Sequence, residues 1–177
     1  MSVMAATVRD ATAADATACS EIYGRYVTDS PATFEVDPPG SAEMSRRIAG
    51  CQASRAFLVA EQEGQVVGFA YGTRFAERRA YRWTAETSVY LDAAAAGRGT
   101  GSALYAALLP RLAGRGFQVV LAKIAQPNDA SNALHARFGF ERVGLLRRVG
   151  FKLGAWHDVA LLQLDLVPTG SLPAEPT

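Results

Sequence analysis

The 177-residue sequence has little of several things, and each shortage narrows what it can be. There are two cysteines, Cys19 and Cys51, without C-x-x-C spacing, so no metal site or redox motif is indicated and both read as buried, reduced thiols. No apolar stretch approaches the roughly 18 residues of a membrane span. The N-terminal MSVMAATVRDA lacks the apolar core of a signal peptide, so a cytoplasmic protein is expected. Net charge is only +1, eighteen basic against seventeen acidic residues, which gives no reason to expect a general nucleic-acid or membrane surface. Sixteen of the eighteen basic residues are arginine, a bias that reads as GC-rich coding rather than chemistry. No linker or internal repeat divides the chain, so residues 1–166 are expected to form one domain. The tail at 167–177 is rich in Pro, Gly and small polar residues and is expected to be disordered.

Strand and helix patterns alternate along the rest. A short strand near ATVRDA leads into a helix carrying Ala16, Cys19, Ile22, Tyr23 and Tyr26 at helical spacing, with Asp15 placed to cap it. Ser41 opens a second helix, with Met44 and Ile48, that ends at Arg55. RAFLVAEQ and QVVGFAYGTRF read as a hairpin, and TAETSVYL as a strand with Thr84, Glu86, Ser88 and Tyr90 on one face. The opposite face then carries Ala85, Thr87, Val89 and Leu91. QVVLAKIA is apolar enough to be central, Ser131 to Phe138 is a short helix closed by Gly139, and WHDVALLQLDL is a long final strand.

The most informative stretch is AAAAGRGTGSALYAALL, where glycines precede an unbroken helix. A strand, a glycine-rich loop and a helix N-terminus together make a phosphate-binding arrangement, because unpaired N–H groups and the helix dipole converge there. GRGTGSA has no lysine, which excludes a nucleoside-triphosphate loop. Its mid-chain position after an antiparallel hairpin argues against a dinucleotide fold.

Ala96-Gly97-Arg98-Gly99-Thr100-Gly101 resembles the Gln/Arg-x-x-Gly-x-Gly/Ala pattern of the GNAT N-acetyltransferase superfamily, with Ala96 where the family usually has Gln or Arg. NDASNALHARFGFERVG is similar to a second family segment. The resemblance implies an α/β GNAT fold: a mixed, twisted sheet with helices on both faces, splayed between strands four and five, that is, between the strand ending at Leu91 and the one starting at Gln118. It implies acetyl-CoA, with the pyrophosphate on the amides of Gly97, Arg98, Gly99, Thr100, Gly101 and Ser102. Asn128 would contact the cofactor, and its pantetheine arm would pair with Val89, Tyr90 and Leu91.

AYRWTAETSVYL, PNDASNALH and GFKLGAWHDVALLQLDL, with YVTDSPATFE, look like the phosphinothricin and methionine sulfoximine N-acetyltransferases, and the likeness covers nearly all of Ala6 to Leu166. An α-amine is mostly ammonium at neutral pH and needs a base. Glu86 is the candidate, in an expected apolar surround of Trp83, Val89 and Tyr90. His135 would orient a water, bind the oxyanion or protonate the departing thiolate. A strand-edge amide near Tyr90 or Leu91 would serve the oxyanion, and Tyr105 is a further hydroxyl candidate, equally suited to packing. By resemblance Arg78 and Tyr81 line the substrate pocket with Phe34, and Arg74 and Arg82 are also candidates. Ala76 stands where some phosphinothricin enzymes have Lys.

His157 and Asp158, neighbours on one strand, point to opposite faces and are read as structural. The expected function is therefore N-acetylation of a small amino-acid analogue's α-amine by direct attack, with no metal, and the resemblance implies a homodimer. Two rivals stand beside it: acetylation of another amine or a protein N-terminus, and a non-catalytic acyl-CoA-binding domain.

Overall fold

The computed structural model describes residues 6–168, 170 and 172–177. Among these, seven strands form one sheet: β1 (Thr7–Asp10), β2 (Phe57–Gln62), β3 (Gln65–Arg74), β4 (Thr84–Leu91), β5 (Val119–Gln126), β6 (Glu141–Lys152) and β7 (Ala155–Asp165). Four α-helices accompany them: α1 (Ala16–Asp29), α2 (Ser41–Ser54), α3 (Thr100–Gly114) and α4 (Asp129–Arg137). The order across the sheet is β1-β2-β3-β4-β5-β7-β6, and every neighbouring pair is antiparallel except β4 with β5.

That parallel pair creates the site. Parallel neighbours need a crossover, here α3. Their register covers only Thr84, Ala85 and Glu86 against Val119, Val120 and Leu121. Beyond it β4 runs on beside β3 and β5 beside β7, so the two strands part and leave a gap in mid-sheet, as the resemblance implied.

Pleating sends alternate residues to two separate cores. On one face Leu58, Ala60, Ala70, Ala85, Val120 and Ala122 pack against Leu104, Leu108 and Leu112 of α3. On the other, Phe57, Val59, Phe69 and Tyr90 pack against Cys19, Ile22, Tyr23 and Val27 of α1 and Met44 and Ile48 of α2. Each fully buried leucine or valine contributes roughly 1.5–3 kcal/mol relative to exposure. Both cysteines are buried and free, and burial pushes the Cys19 thiol up to about 12.

One sequence expectation needs correction, and two further features lie beyond what the sequence pattern covered. Asp15 does not cap α1 with its side chain: it closes a 3-10 turn, accepting from Thr12 N at 2.7 Å and from Arg9 Nη1 and Nη2 at 2.8 Å. β6 is a twelve-residue strand in a stretch that gave no strand pattern, because nearly all of it is exposed and it contains Gly144 and Gly150. The described tail residues are placed against the domain: Trp83 Nε1 donates to Ala174 O (2.7 Å), Arg82 Nε to Glu175 (2.8 Å), and Thr177 N to Arg115 O (3.0 Å). Composition registers neither an edge strand without a buried face nor a tail held by two side chains.

Candidate active site

The glycine loop stands at one end of the β4–β5 gap. Gly97 and Gly99 adopt positive φ (72° and 84°), the left-handed region that glycine occupies without strain. Gly101 is small for another reason: a Cβ there would lie 3.2 Å from Leu134 Cδ2, so α3 and α4 can approach closely. The first amide of α3 to bond backward is Ala103 N, to Gly99 O at 2.9 Å. The amides of Thr100, Gly101 and Ser102 therefore precede any intrahelical acceptor and are presented at the helix mouth. Arg98 is exposed on the loop. Arg137 donates to Ser102 Oγ at 3.2 Å. A cleft of about 670 Å³ runs from Ala96, Gly97 and Gly99 along Thr87 to Leu91 and down to Tyr105, Lys123, Asn128 and His135.

The cleft-side edge of β4 differs from expectation. Asp92 N bonds to Val67 O beside β3, so by alternation the Tyr90 amide also faces β3, while those of Val89 and Leu91 face the gap. At Leu91 that edge is engaged by Tyr26, whose hydroxyl donates to Leu91 O (2.8 Å) and accepts from Leu91 N (3.3 Å). Val89 is thus the gap-facing position nearest the point where the strands part. Asn128 lines the cleft with its oxygen committed to Ser131 N at 3.1 Å as the cap of α4.

At the cleft's inner end Tyr105 and His135, far apart in sequence, form a buried pair; they are 0% and 3% exposed. His135 Nδ1 lies 2.7 Å from Ser131 O, and a carbonyl only accepts, so Nδ1 carries the hydrogen. The neutral ring then accepts at Nε2 from the Tyr105 hydroxyl, 2.8 Å away. Thr87 Oγ1 adds a contact to Tyr105 Oη at 3.2 Å. Burial holds the His135 imidazole below its ordinary value, partly offset by the Ser131 bond, and raises the Tyr105 phenol. The sequence did not indicate that these two residues meet.

Glu86 stands on the other face of β4. The apolar surround expected for it is not what it meets: Trp83 lies under the Arg82 guanidinium, 3.5 Å from the ring centroid, and Val89 points to the opposite face. The Glu86 side chain is 23% exposed and accepts an ion pair from Lys123 Nζ at 2.8 Å. Lys123, on β5, also lies 5.8 Å from the centre of the Phe75 ring, against which Tyr81 packs edge-on at 5.4 Å. Sequence reasoning missed Lys123, although a lone charge in the apolar run VVLAKIA was visible.

The other candidates divide. Arg78 is exposed on the loop after β3, its carbonyl accepting from Tyr81 N at 3.0 Å. Arg74 pairs with Glu77 at 3.2 Å and borders a second cavity of about 390 Å³ with Tyr71, Thr73 and Arg55. Arg82 is bound to Glu175 and lines neither cavity. Phe34 lies against Gly150 and His157. Its loop is held by Lys152, whose ammonium donates to Tyr26 O, Ser30 O and Thr33 O at 2.6–3.2 Å. His157 contacts Lys152 O (3.0 Å) and Asp158 accepts from Arg148 N (2.8 Å), so the two side chains have separate partners.

A family profile described as the acetyltransferase (GNAT) domain matches residues 8–161. The chain is 40% identical over 169 residues to a phosphinothricin N-acetyltransferase of Streptomyces viridochromogenes, covering 96% of this chain and 90% of that protein. It is 36% identical over 172 residues to an L-methionine sulfoximine/L-methionine sulfone acetyltransferase of Pseudomonas paraeruginosa, covering 96% and 100%. A crystal structure of a GNAT superfamily phosphinothricin acetyltransferase from Sinorhizobium meliloti, in complex with acetyl-CoA, superposes with a TM-score of 0.93 at 41% identity, over 97% of this chain and 95% of that one. With the glycine loop, the parted β4 and β5 and the cleft between them, these likenesses show that the chain belongs to the GNAT family of acetyltransferases.

Proposed function

We propose that this acetyltransferase uses acetyl-CoA to acetylate the α-amine of a small amino-acid analogue of the phosphinothricin, methionine sulfoximine or methionine sulfone type, and so detoxifies it. The observation that carries the reading is the gap itself: a 670 Å³ cleft with presented helix amides at one end and Tyr105–His135 at the other, and Glu86 on the sheet's opposite face. A ligand with phosphates and an extended amide-bearing arm fits such a cleft. The amides of Gly97 to Ser102 would hold the phosphates and the Val89 carbonyl would accept from the arm.

Acetyl-CoA supplies the activated acetyl group. Glu86 takes a proton from the acceptor's ammonium, directly or through water, and the freed amine attacks the thioester carbon. The Val89 amide, facing the gap, donates to the carbonyl oxygen as charge develops there. As the C–S bond breaks, the Tyr105 hydroxyl, held by His135, gives its proton to the departing thiolate; the second proton of the acylated nitrogen returns through water to Tyr105 and Glu86 releases the first to solvent, so the acetyl group moves straight to nitrogen and CoA leaves as a thiol. Arg78, Tyr81, Phe34 and Arg74 surround the acceptor, and the cavity beside Arg74 gives room for its polar head. β6 and the start of β7 expose Val143, Leu145, Leu146, Val149, Phe151 and Trp156, apolar surface along the sheet edge suited to a second copy of the chain. Sedimentation equilibrium is expected to give twice the chain mass.

The test is free-thiol release from acetyl-CoA across phosphinothricin, methionine sulfoximine, methionine sulfone, plain amino acids and simple amines. Selective turnover of the tetrahedral-headed analogues is expected. Turnover of amines or peptide N-termini alone would overturn the substrate assignment.

A further inference from the structure

The chain has only two lysines, and each sits among specific oxygen partners. Lys152 is enclosed by three backbone carbonyls and holds the Phe34 loop. Lys123 is different: it is 44% exposed, lines the cleft and has Glu86 Oε2 as its ion-pair partner at 2.8 Å. Its position follows from the register. Glu86 faces Leu121 in the last parallel pair, and Lys123, two residues on, emerges on the same face where β5 turns away. Phe75 and Tyr81 wall it from the side of the loop carrying Arg78.

This places a fixed cation on the carboxylate proposed to receive another cation. A plain ammonium approaching Glu86 must displace Lys123 or stand beside it, and either leaves like charges in contact with one anion between them. An α-amino acid arrives differently, with a carboxylate on the carbon that bears its ammonium. The acceptor's ammonium can settle on Glu86 while its carboxylate settles on Lys123, giving alternating charges with none left unpaired.

We infer that Lys123 is a specificity-determining residue: it exchanges Glu86 for the acceptor's α-carboxylate and thereby selects α-amino acids over amines that lack the carboxylate. The inference rests on the reading of Glu86 as the group that receives the acceptor amine. It assigns to a β5 side chain the recognition of the carboxylate that distinguishes α-amino acids from plain amines, leaving the loop arginines to the variable head.

The test compares methionine sulfone with its decarboxylated counterpart, 3-(methylsulfonyl)propylamine, in wild type, Lys123→Met and Lys123→Arg. The readout is the ratio of kcat/KM for the amino acid to that for the amine; differences in intrinsic basicity cancel when ratios are compared between variants. Lys123→Met is expected to lower the ratio about tenfold or more, chiefly by raising KM for the amino acid. Lys123→Arg is expected to restore most of it. A high wild-type ratio left unchanged by Lys123→Met would overturn the inference and leave the amino-acid reading standing, because the lysine would then act on Glu86 alone. A wild-type ratio at or below one would overturn the amino-acid reading itself, and the inference with it.

Discussion

On one side of the β4–β5 gap Thr87, Tyr105 and His135 are buried and joined in a chain of hydrogen bonds, their positions set by α3, α4 and the core. On the other, Glu86 and Lys123 form a part-exposed ion pair, with Arg74 and Arg78 nearby in sequence on a strand end and a loop. The first arrangement cannot change without repacking a core, so it suits a reaction step common to every acceptor. The second is built from charges on long side chains at the surface, which one substitution can retune. Under the proposed function the contrast separates thioester chemistry, held by the buried side, from acceptor choice, held by the part-exposed side.

Glu86→Gln should break the acceptor side most severely. It keeps the shape of the side chain but removes the proposed base, and kcat at neutral pH is expected to fall roughly 100- to 1000-fold with acetyl-CoA affinity within about twofold. Full activity in steady-state assays would remove Glu86 from the mechanism. Tyr105→Phe deletes one hydroxyl from the buried side, and a loss of about 10- to 100-fold in kcat is expected, with little change in KM for either substrate. Gly99→Ala should do the reverse, raising KM for acetyl-CoA several-fold and costing about 1 kcal/mol of stability, because residue 99 sits at φ 84°. Thermal unfolding and a cofactor titration separate the two effects.

A smaller effect belongs to pH. Burial holds His135 below the ordinary imidazole value of 6.5, so in the folded protein it stays neutral where the unfolded chain takes up a proton. Its contribution is complete above about pH 6.5 and is lost as pH falls from there toward the lowered folded value. The wild-type Tm should fall over that range more than the Tm of His135→Gln, and parallel curves would contradict the assignment. Arg82→Ala should be mildest of all: it frees the contact with Glu175 and leaves kcat/KM within about twofold, consistent with a side chain that lines neither cavity.

What was legible in the sequence followed burial. TAETSVYL alternates because Ala85, Thr87, Val89 and Leu91 turn to the α3 core while Thr84, Glu86 and Ser88 on the other face are only half-buried, and its strand runs Thr84–Leu91 as read. Helix starts at Ser41 and the glycine loop were legible because a chemical change marks them. β6 was not, since a pattern needs a buried face and this edge strand has almost none. The glycine loop at the cleft's mouth was legible because a motif carries it, and contacts that depend on register were not. Lys123 meets Glu86 only because Leu121 lies opposite it, and Tyr26 reaches Leu91 across 65 positions of chain. Those contacts belong to the topology.

The division between the two sides of the gap can be read directly from backbone amide resonances, titrating the protein first with acetyl-CoA and then with methionine sulfone. Acetyl-CoA is expected to shift the amides of Gly97 to Ser102 and Val89 foremost; the amino acid, added second, should move those of Phe75 to Tyr81, Glu86 and Lys123. If the amino acid instead shifts the glycine loop, or acetyl-CoA leaves Val89 unmoved, the assignment of the two substrates to opposite sides of β4 is wrong.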